Sequence, residues 1–268
     1  MPIQPSLNLQ SVSDADFAVI DKAVMSCAYA THNKFGRLFD ERIYENDLAA
    51  RLRADGFDVH TQVPICVTHG SFQTIYKLDL VVNQMIYELK VVAALANEHD
   101  AQGLHDAMLQ DVRLVKLLNF GASKVQGKLL ANALSAPDRH RPTLRNSGWQ
   151  IITPHCERLV NHLKELIHDW GTHLSCHLYN DALVHFCGGE AYCVQRVELK
   201  LGQLVLGTHP VLFYSPGFAF VVTALSRDQA AYQQHLEVLL SHTGLKGLQW
   251  INLNHSRVEI TTLGMAKE

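Results

Sequence analysis

Asp79, Glu88 and Lys90 are the residues of this chain whose types and spacing could do chemistry. They lie in TIYKLDLVV and MIYELKVV, two strand-like runs separated only by Asn83-Gln84. A two-residue turn there makes a hairpin. It sets Val82 against Met85, Val81 against Ile86, Leu80 against Tyr87 and Asp79 against Glu88. Side chains alternate between the faces of a strand, so Asp79, Glu88 and Lys90 share one face. Leu78, Leu80, Tyr87 and Leu89 take the other. Two carboxylates directly opposite each other repel. A divalent cation between them removes the conflict, and clustered carboxylate oxygens suit a hard cation such as Mg2+ or Mn2+. Lys90, one pleat from Glu88, could hold or polarise an attacking water and offset charge on a phosphate. The hairpin alone leaves a second reading open, an exposed sheet face on which a lysine compensates two acids.

Other elements must position this hairpin. Residues 13 to 31 and 37 to 55 read as helices. In the second, Phe39, Ile43, Leu48 and Leu52 recur at near-helical spacing, and Gly56 stands where a stop is expected. FDVHTQVPICV reads as a strand leading into the hairpin. A further helix follows, with Asn97 as N-cap and an apolar stripe of Ala101, Leu104, Met108, Val112 and Val115. VKLLNFG and a run to Leu130 complete a unit of helix, three strands, helix and two strands.

Residues 156 to 263 repeat that order at an offset of about 130 to 135 residues. Tyr179-Asn180-Asp181 resembles the Tyr44-Glu45-Asn46-Asp47 region, Gly189 and Gln195 match Gly56 and Gln62, and Leu225 answers Leu95. VLFYS-PG-FAFVVTAL matches the LDLVV-NQ-MIYELKVVAAL hairpin, and Asn252 takes the place of Asn119. With an offset of 130, Asp79 falls on His209, Glu88 on Phe218 and Lys90 on Phe220, so the second copy lacks the acid-plus-lysine set. The expected fold is α/β: two tandem αβββαβ domains, each a mixed central sheet flanked by helices. The boundaries expected are 1–135 and 149–268. Between them, APDRHRPTLRNSG (residues 136 to 148) reads as a basic linker. Apolar strands in the second copy need cover on both faces, so the two copies are expected to pack together within the chain.

The 268 residues are 47% hydrophobic, enough for buried cores, and a net charge of −3 argues against a wholly basic nucleic-acid binder. No basic-then-apolar leader is visible at the N-terminus. VLFYSPGFAFVVTAL, the longest apolar candidate for a membrane span, is broken by Pro216 and Gly217. A cytoplasmic, non-membrane protein is the expectation. Six cysteines without a CxxC pair read as reduced core residues. The histidines between His155 and His177 match no standard zinc-finger spacing.

The Asp, eight residues, then Glu-Leu-Lys pattern resembles the PD-(D/E)XK nuclease core. More narrowly, residues 36 to 121 resemble the GxxExxY proteins of that superfamily. The matching stretches are GRLFDERIYENDLAARL, Gln62-Val63-Pro64, YKLDLVV, IYELKVV, Asp100-Ala101-Gln102 and LLNFG. The resemblance implies a restriction-endonuclease-like fold and a metal-dependent phosphodiesterase acting on nucleic acid, in particular DNA. It implies catalytic roles for Glu41, Asp79, Glu88, Lys90 and Gln102. Glu41, Asp79, Glu88 and the Leu89 carbonyl would hold Mg2+ or Mn2+. Tyr44 matches the family tyrosine and reads as packing. Lys77, Arg139, Arg141 and Arg145 are candidates for phosphate contacts. The sequence departs from the family at Leu38, where a glycine is usual, and at Asp106, where an aromatic residue is usual. A rival reading is a non-catalytic module of nuclease fold that binds nucleic acid or protein. A homo-oligomer stays open.

Overall fold

Ser13 opens the first helix, α1 (Asp14–Phe35), by accepting the Asp16 N–H with its hydroxyl at 3.1 Å. Such a cap stabilises a helix by about 1 kcal/mol. α2 (Glu41–Ala54) ends as the glycine signal requires. Gly56 takes φ 86°, and the Phe57 N–H returns to Leu52 O at 3.0 Å. The computed structural model describes residues 1–264, so the last residues of the expected second copy lie outside the described part. The chain divides into two units, Met1–Ala136 and the part from Pro137 onward.

In the first unit, β1 (Ile3–Pro5), β2 (Val59–His69), β3 (Phe72–Val82), β4 (Met85–Lys90), β5 (Leu114–Asn119) and β6 (Gln126–Ala131) form one sheet in sequence order. Only β4 and β5 run parallel, joined through α3 (Asn97–Gln110). Asn83 and Gln84 both have positive φ, 43° and 76°, the primed turn that a two-residue hairpin demands. Leu80, Val82, Met85, Tyr87 and Leu89 project to the face covered by α1 and α2, where Val24, Tyr44, Leu48 and Leu52 meet them. Each such buried side chain contributes about 1.5–3 kcal/mol. α3 covers the opposite face. A Cβ on Gly103 would stand 2.8 Å from Leu130 Cδ1 and 3.0 Å from Leu117 Cδ2, so a glycine here lets the helix lie directly on β5 and β6. Its N-cap is Ala96 rather than Asn97, because His99 Nδ1 accepts the Ala96 N–H at 2.8 Å.

The second unit begins with a correction. The stretch read as a linker contains a short helix, α4 (Ala136–Arg139), and a strand, β7 (Thr143–Gly148). β7 pairs in parallel with the last strand of the second sheet, so its residues are an edge of that sheet. Polar composition concealed it, because an edge strand can be exposed throughout. Then come α5 (Pro154–Trp170), α6 (Cys176–Phe186), α7 (Glu190–Cys193), β8 (Val194–Leu201), β9 (Leu204–Ser215), β10 (Phe218–Thr223), α8 (Gln229–Ser241), β11 (Gly247–Asn254) and β12 (Arg257–Leu263). The sheet order β8-β9-β10-β11-β12 repeats β2-β3-β4-β5-β6, again with one parallel pair, β10 and β11, inside it. The sixth strand is added at opposite edges: β1 beside β2, but β7 beside β12. The chain is thus an α/β protein with two six-stranded mixed sheets, each flanked by helices.

Candidate active site

The hairpin register has the expected pairs Leu80–Tyr87, Val81–Ile86 and Val82–Met85, and it stops there. Beyond Leu80 a side chain replaces the backbone ladder. Asp79 Oδ2 accepts the Leu89 N–H at 2.9 Å. The expected backbone pairing of Asp79 with Glu88 is therefore not part of the ladder. Burial also overturns the exposed-face expectation. Glu88 is 1% exposed, Asp79 9%, and the Lys90 side chain 12%.

Five elements contribute to this cluster. Lys90 Nζ donates to Glu88 Oε1 at 2.7 Å and to Leu89 O at 2.8 Å. Gln102, from α3, donates its amide N–H to the same Glu88 oxygen. Gln62, on β2, donates to Asp79 Oδ1 at 3.3 Å and to Glu45 Oε2 at 2.7 Å. Its backbone has φ 53°, a left-handed conformation that costs a β-strand glutamine on the order of 1–3 kcal/mol. The two bonds between acids of different elements offset that strain. Arg42 Nη1 reaches the other oxygen of Glu45 at 2.7 Å.

The electrostatics follow from burial and like charge. Burial, then the charges of Asp106 and Asp79, raise the Glu88 carboxyl far above the usual range, against the pull of Lys90. Asp106 is raised by burial and then by Asp79. Glu41 is raised by burial and the Asp79 charge, with Lys90 opposing, so it lies within the field of both. Glu45 is raised mainly by burial. Burial works against the Lys90 charge, but Glu88, Glu41 and Asp79 outweigh it and hold its pKa above the ordinary value. Acids far outnumber the ammonium.

Residues 18–129 match the family model of the PD-(D/E)XK nuclease superfamily. The match runs from within α1 to β6 and contains every member of this cluster. Comparison with curated proteins and with solved structures gives no match. The superfamily's nucleases typically use divalent cations. Among the described residues, no three His, Cys, Asp or Glu side chains are drawn together as a ligand group. The donor chemistry nonetheless fits a hard cation, because the cluster offers only oxygens. Glu88 Oε2 and Asp106 Oδ2 are buried without a hydrogen-bond partner.

The structure thus links Asp79, Glu88, Lys90 and Gln102 by hydrogen bonds, Asp79 through the Leu89 N–H and Lys90 also through the Leu89 carbonyl, while Glu41 stands within the field of Asp79 and Lys90. Glu45, Gln62 and Asp106 belong to the cluster too, and sequence reasoning gave them no role. Helical spacing could have found two of them. Glu45 is four residues from Glu41, and Asp106 four from Gln102, so each shares a face with a residue already singled out. Tyr44 is wholly buried, stacks on Phe120 with centroids 4.8 Å apart, and donates to Gly36 O at 3.0 Å. It is packing.

Of the phosphate-contact candidates, Lys77 is exposed one pleat before Asp79. Arg141 and Arg145 are exposed in the second unit. Arg139 is a correction: it is 3% exposed, and its guanidinium donates to Trp170 O at 2.9 Å inside that unit. A side chain used this way cannot reach out to a phosphate.

Strand register also corrects the mapping of the second hairpin. Asn119 clasps Val92 N–H and C=O, and Asn252 clasps Leu225 N–H and C=O in the same way. That equivalence puts Val221 and Thr223 at the places of Glu88 and Lys90, since Val221 pairs with Trp250 and Thr223 with Asn252. Val211, paired with Gln195, stands at the place of Asp79. The ungapped count with an offset of 130, which pointed to His209, Phe218 and Phe220, falls two residues short on β9, and the bulge at Phe218/Ala219 adds the third on β10. No acid-lysine set appears with either mapping. A cavity of about 410 Å³ lined by Tyr192, Gln195, Glu198, Lys200 and Phe213 belongs wholly to the second unit and shares no residue with the cluster.

Proposed function

We propose that the first unit hydrolyses phosphodiester bonds in nucleic acid, with DNA as the substrate, in a Mg2+- or Mn2+-dependent reaction. One observation carries the reading: a buried Asp79–Glu88–Lys90 cluster, with Glu41 in its field, inside the segment that matches a nuclease superfamily. Glu41, Asp79, Glu88 and the Leu89 carbonyl are the groups that would hold the cation. Such a cation, when bound, lowers the pKa of water and neutralises charge on the phosphate. The protein's own contributions are positional and electrostatic. Asp79 is fixed by the Leu89 N–H and Gln62. Gln102 and Lys90 fix one oxygen of Glu88 and leave the other available. Lys90 keeps its positive charge among acids and can orient an attacking water or meet a phosphate oxygen. Lys77, Arg141 and Arg145 would contact phosphates and make binding salt-dependent. The second unit, with Val211, Val221 and Thr223 at the equivalent places, takes no part in bond cleavage.

The test is a cleavage assay on single- and double-stranded DNA and RNA with Mg2+ or Mn2+. It compares wild type, Glu88→Gln and Lys90→Ala, each checked for folding by circular dichroism. Loss of one preorganised electrostatic group typically costs about 2.7–4 kcal/mol in the transition state, a rate loss on the order of 100- to 1,000-fold. Wild-type rates in either folded variant would refute these assignments.

A further inference from the structure

We infer that Asp106 is a cation-ligating residue, a carboxylate from α3 that joins Asp79 and Glu88 in holding Mg2+ or Mn2+. This rests on the metal-dependent reading of the site and adds a ligand that the hairpin does not contain. Asp106 is 3% exposed, and its Oδ2 has no hydrogen-bond partner. A buried carboxylate oxygen without a donor is costly, by about 1–3 kcal/mol or more for a charged group. Glu88 Oε2, 1% exposed, is in the same condition.

The helix register aims Asp106 at the cluster. Gln102 bonds to Glu88, and Asp106 follows it by four residues, one turn along the same face of α3. Its charge is felt by Glu88, and it feels the charges of Asp79 and Lys90. Lys90, the cation in reach, already donates to Glu88 and to Leu89 O. α3 cannot easily swing away, since Gly103 seats it against Leu117 and Leu130. Two buried oxygens without donors, brought by separate elements to one patch of negative charge, form a pair that a hard cation satisfies at once.

The experiment is calorimetric titration of chelator-stripped full-length protein with MnCl2. Wild type is compared with Asp106→Asn, Asp106→Glu and Asp79→Asn, and each is melted with and without Mn2+. The expected results are Mn2+ binding by wild type and at least tenfold weaker binding by Asp106→Asn and Asp79→Asn. Asp106→Glu should recover part of the affinity. Without metal, Asp106→Asn should melt no lower than wild type, because the amide replaces a buried carboxyl whose Oδ2 has no hydrogen-bond partner. Should Asp106→Asn fail to fold, Asp106→Ser serves in the same comparison. Wild-type affinity in a folded Asp106→Asn, beside a weakened Asp79→Asn, overturns the role of Asp106 alone. No Mn2+ binding by wild type overturns the metal-dependent reading together with it.

Discussion

Replacing Asn119 by alanine should destabilise the first unit, and replacing Asn252 should do the same to the second. Asn119 is fully buried. Its Oδ1 accepts the N–H groups of Val92 and Gly121, both at 3.0 Å. Its Nδ2 donates to Val92 O at 2.9 Å and Gln126 Oε1 at 3.0 Å. Alanine deletes all four bonds. Gln126 is exposed and recovers its partner from water at little cost. The three backbone groups are only partly reachable, and each buried group left without a partner costs about 1–3 kcal/mol. With a discount for partial rehydration, a loss of roughly 2–4 kcal/mol is expected. Asn252, 1% exposed, clasps Leu225 N at 2.8 Å and Leu225 O at 3.0 Å and accepts from Thr223 Oγ1 at 2.8 Å; with two backbone groups in place of three, a smaller loss of roughly 1–3 kcal/mol is expected. All three tryptophans, Trp149, Trp170 and Trp250, lie in the second unit, so urea unfolding followed by tryptophan fluorescence reads that unit. Far-ultraviolet circular dichroism reads both. Asn252→Ala should shift the fluorescence transition, and Asn119→Ala the dichroism transition. A loss below about 1 kcal/mol in either variant would show that water replaces the clasp and that the reasoning is wrong.

Two other perturbations follow from the same geometry. A Cβ on Gly121 would stand 2.4 Å from Val92 N and 2.6 Å from Val92 O, atoms of backbone that cannot rotate aside. Gly121→Ala should cost about 1–3 kcal/mol or more, seen as a lower melting temperature, and should slow cleavage because Val92 closely follows Lys90. The second concerns pH. Burial, then the charges of His255 and Arg139, depress the His173 imidazole below its ordinary value. For such a base the unfolded chain binds the extra proton, so the stabilising contribution is present above the unfolded pKa and lost as pH falls through the folded one. The tryptophan-fluorescence transition of the second unit should therefore weaken as pH falls from about 6.5, a readout kept apart from the raised acids of the first unit, which act in the opposite sense. His173→Asn, which suits the left-handed backbone at φ 69°, should flatten that slope. An unchanged slope would remove His173 from the explanation.

The hairpin was legible in the sequence because its register depends on two local facts, a two-residue turn and alternation, and both appear in the structure through Leu80–Tyr87. Periodicity likewise marked α2, α3 and the repeat. What it missed was set by tertiary contacts. β7 is exposed along its whole length, so no apolar alternation announces it. The burial of Glu88 comes from α3 lying on the acidic face, which depends on Gly103 and not on the hairpin. The position of Gln62 depends on a left-handed residue within a strand, which no composition rule anticipates. Arg139 looked like a solvated linker charge because nothing local shows that Trp170 O will accept from it.

The repeat separates what the scaffold requires from what the chemistry requires. Tyr44 donates to Gly36 O, and Tyr179 donates to Gly171 O at 2.7 Å, each tyrosine standing eight residues after its acceptor. The asparagine clasp recurs just as closely. Since both devices are present where Val211, Val221 and Thr223 replace the charged residues, they serve the fold and not the reaction. The acids are different. Burying Glu88 and Asp106 with oxygens left unpartnered lowers stability, and the second unit keeps its sheet topology without equivalents of Asp79 and Glu88. A scaffold does not need such a cluster. Among the described residues it stands in the first unit and not in the second, and a positively charged ligand is what would offset its cost, which is the physical ground for proposing the reaction there.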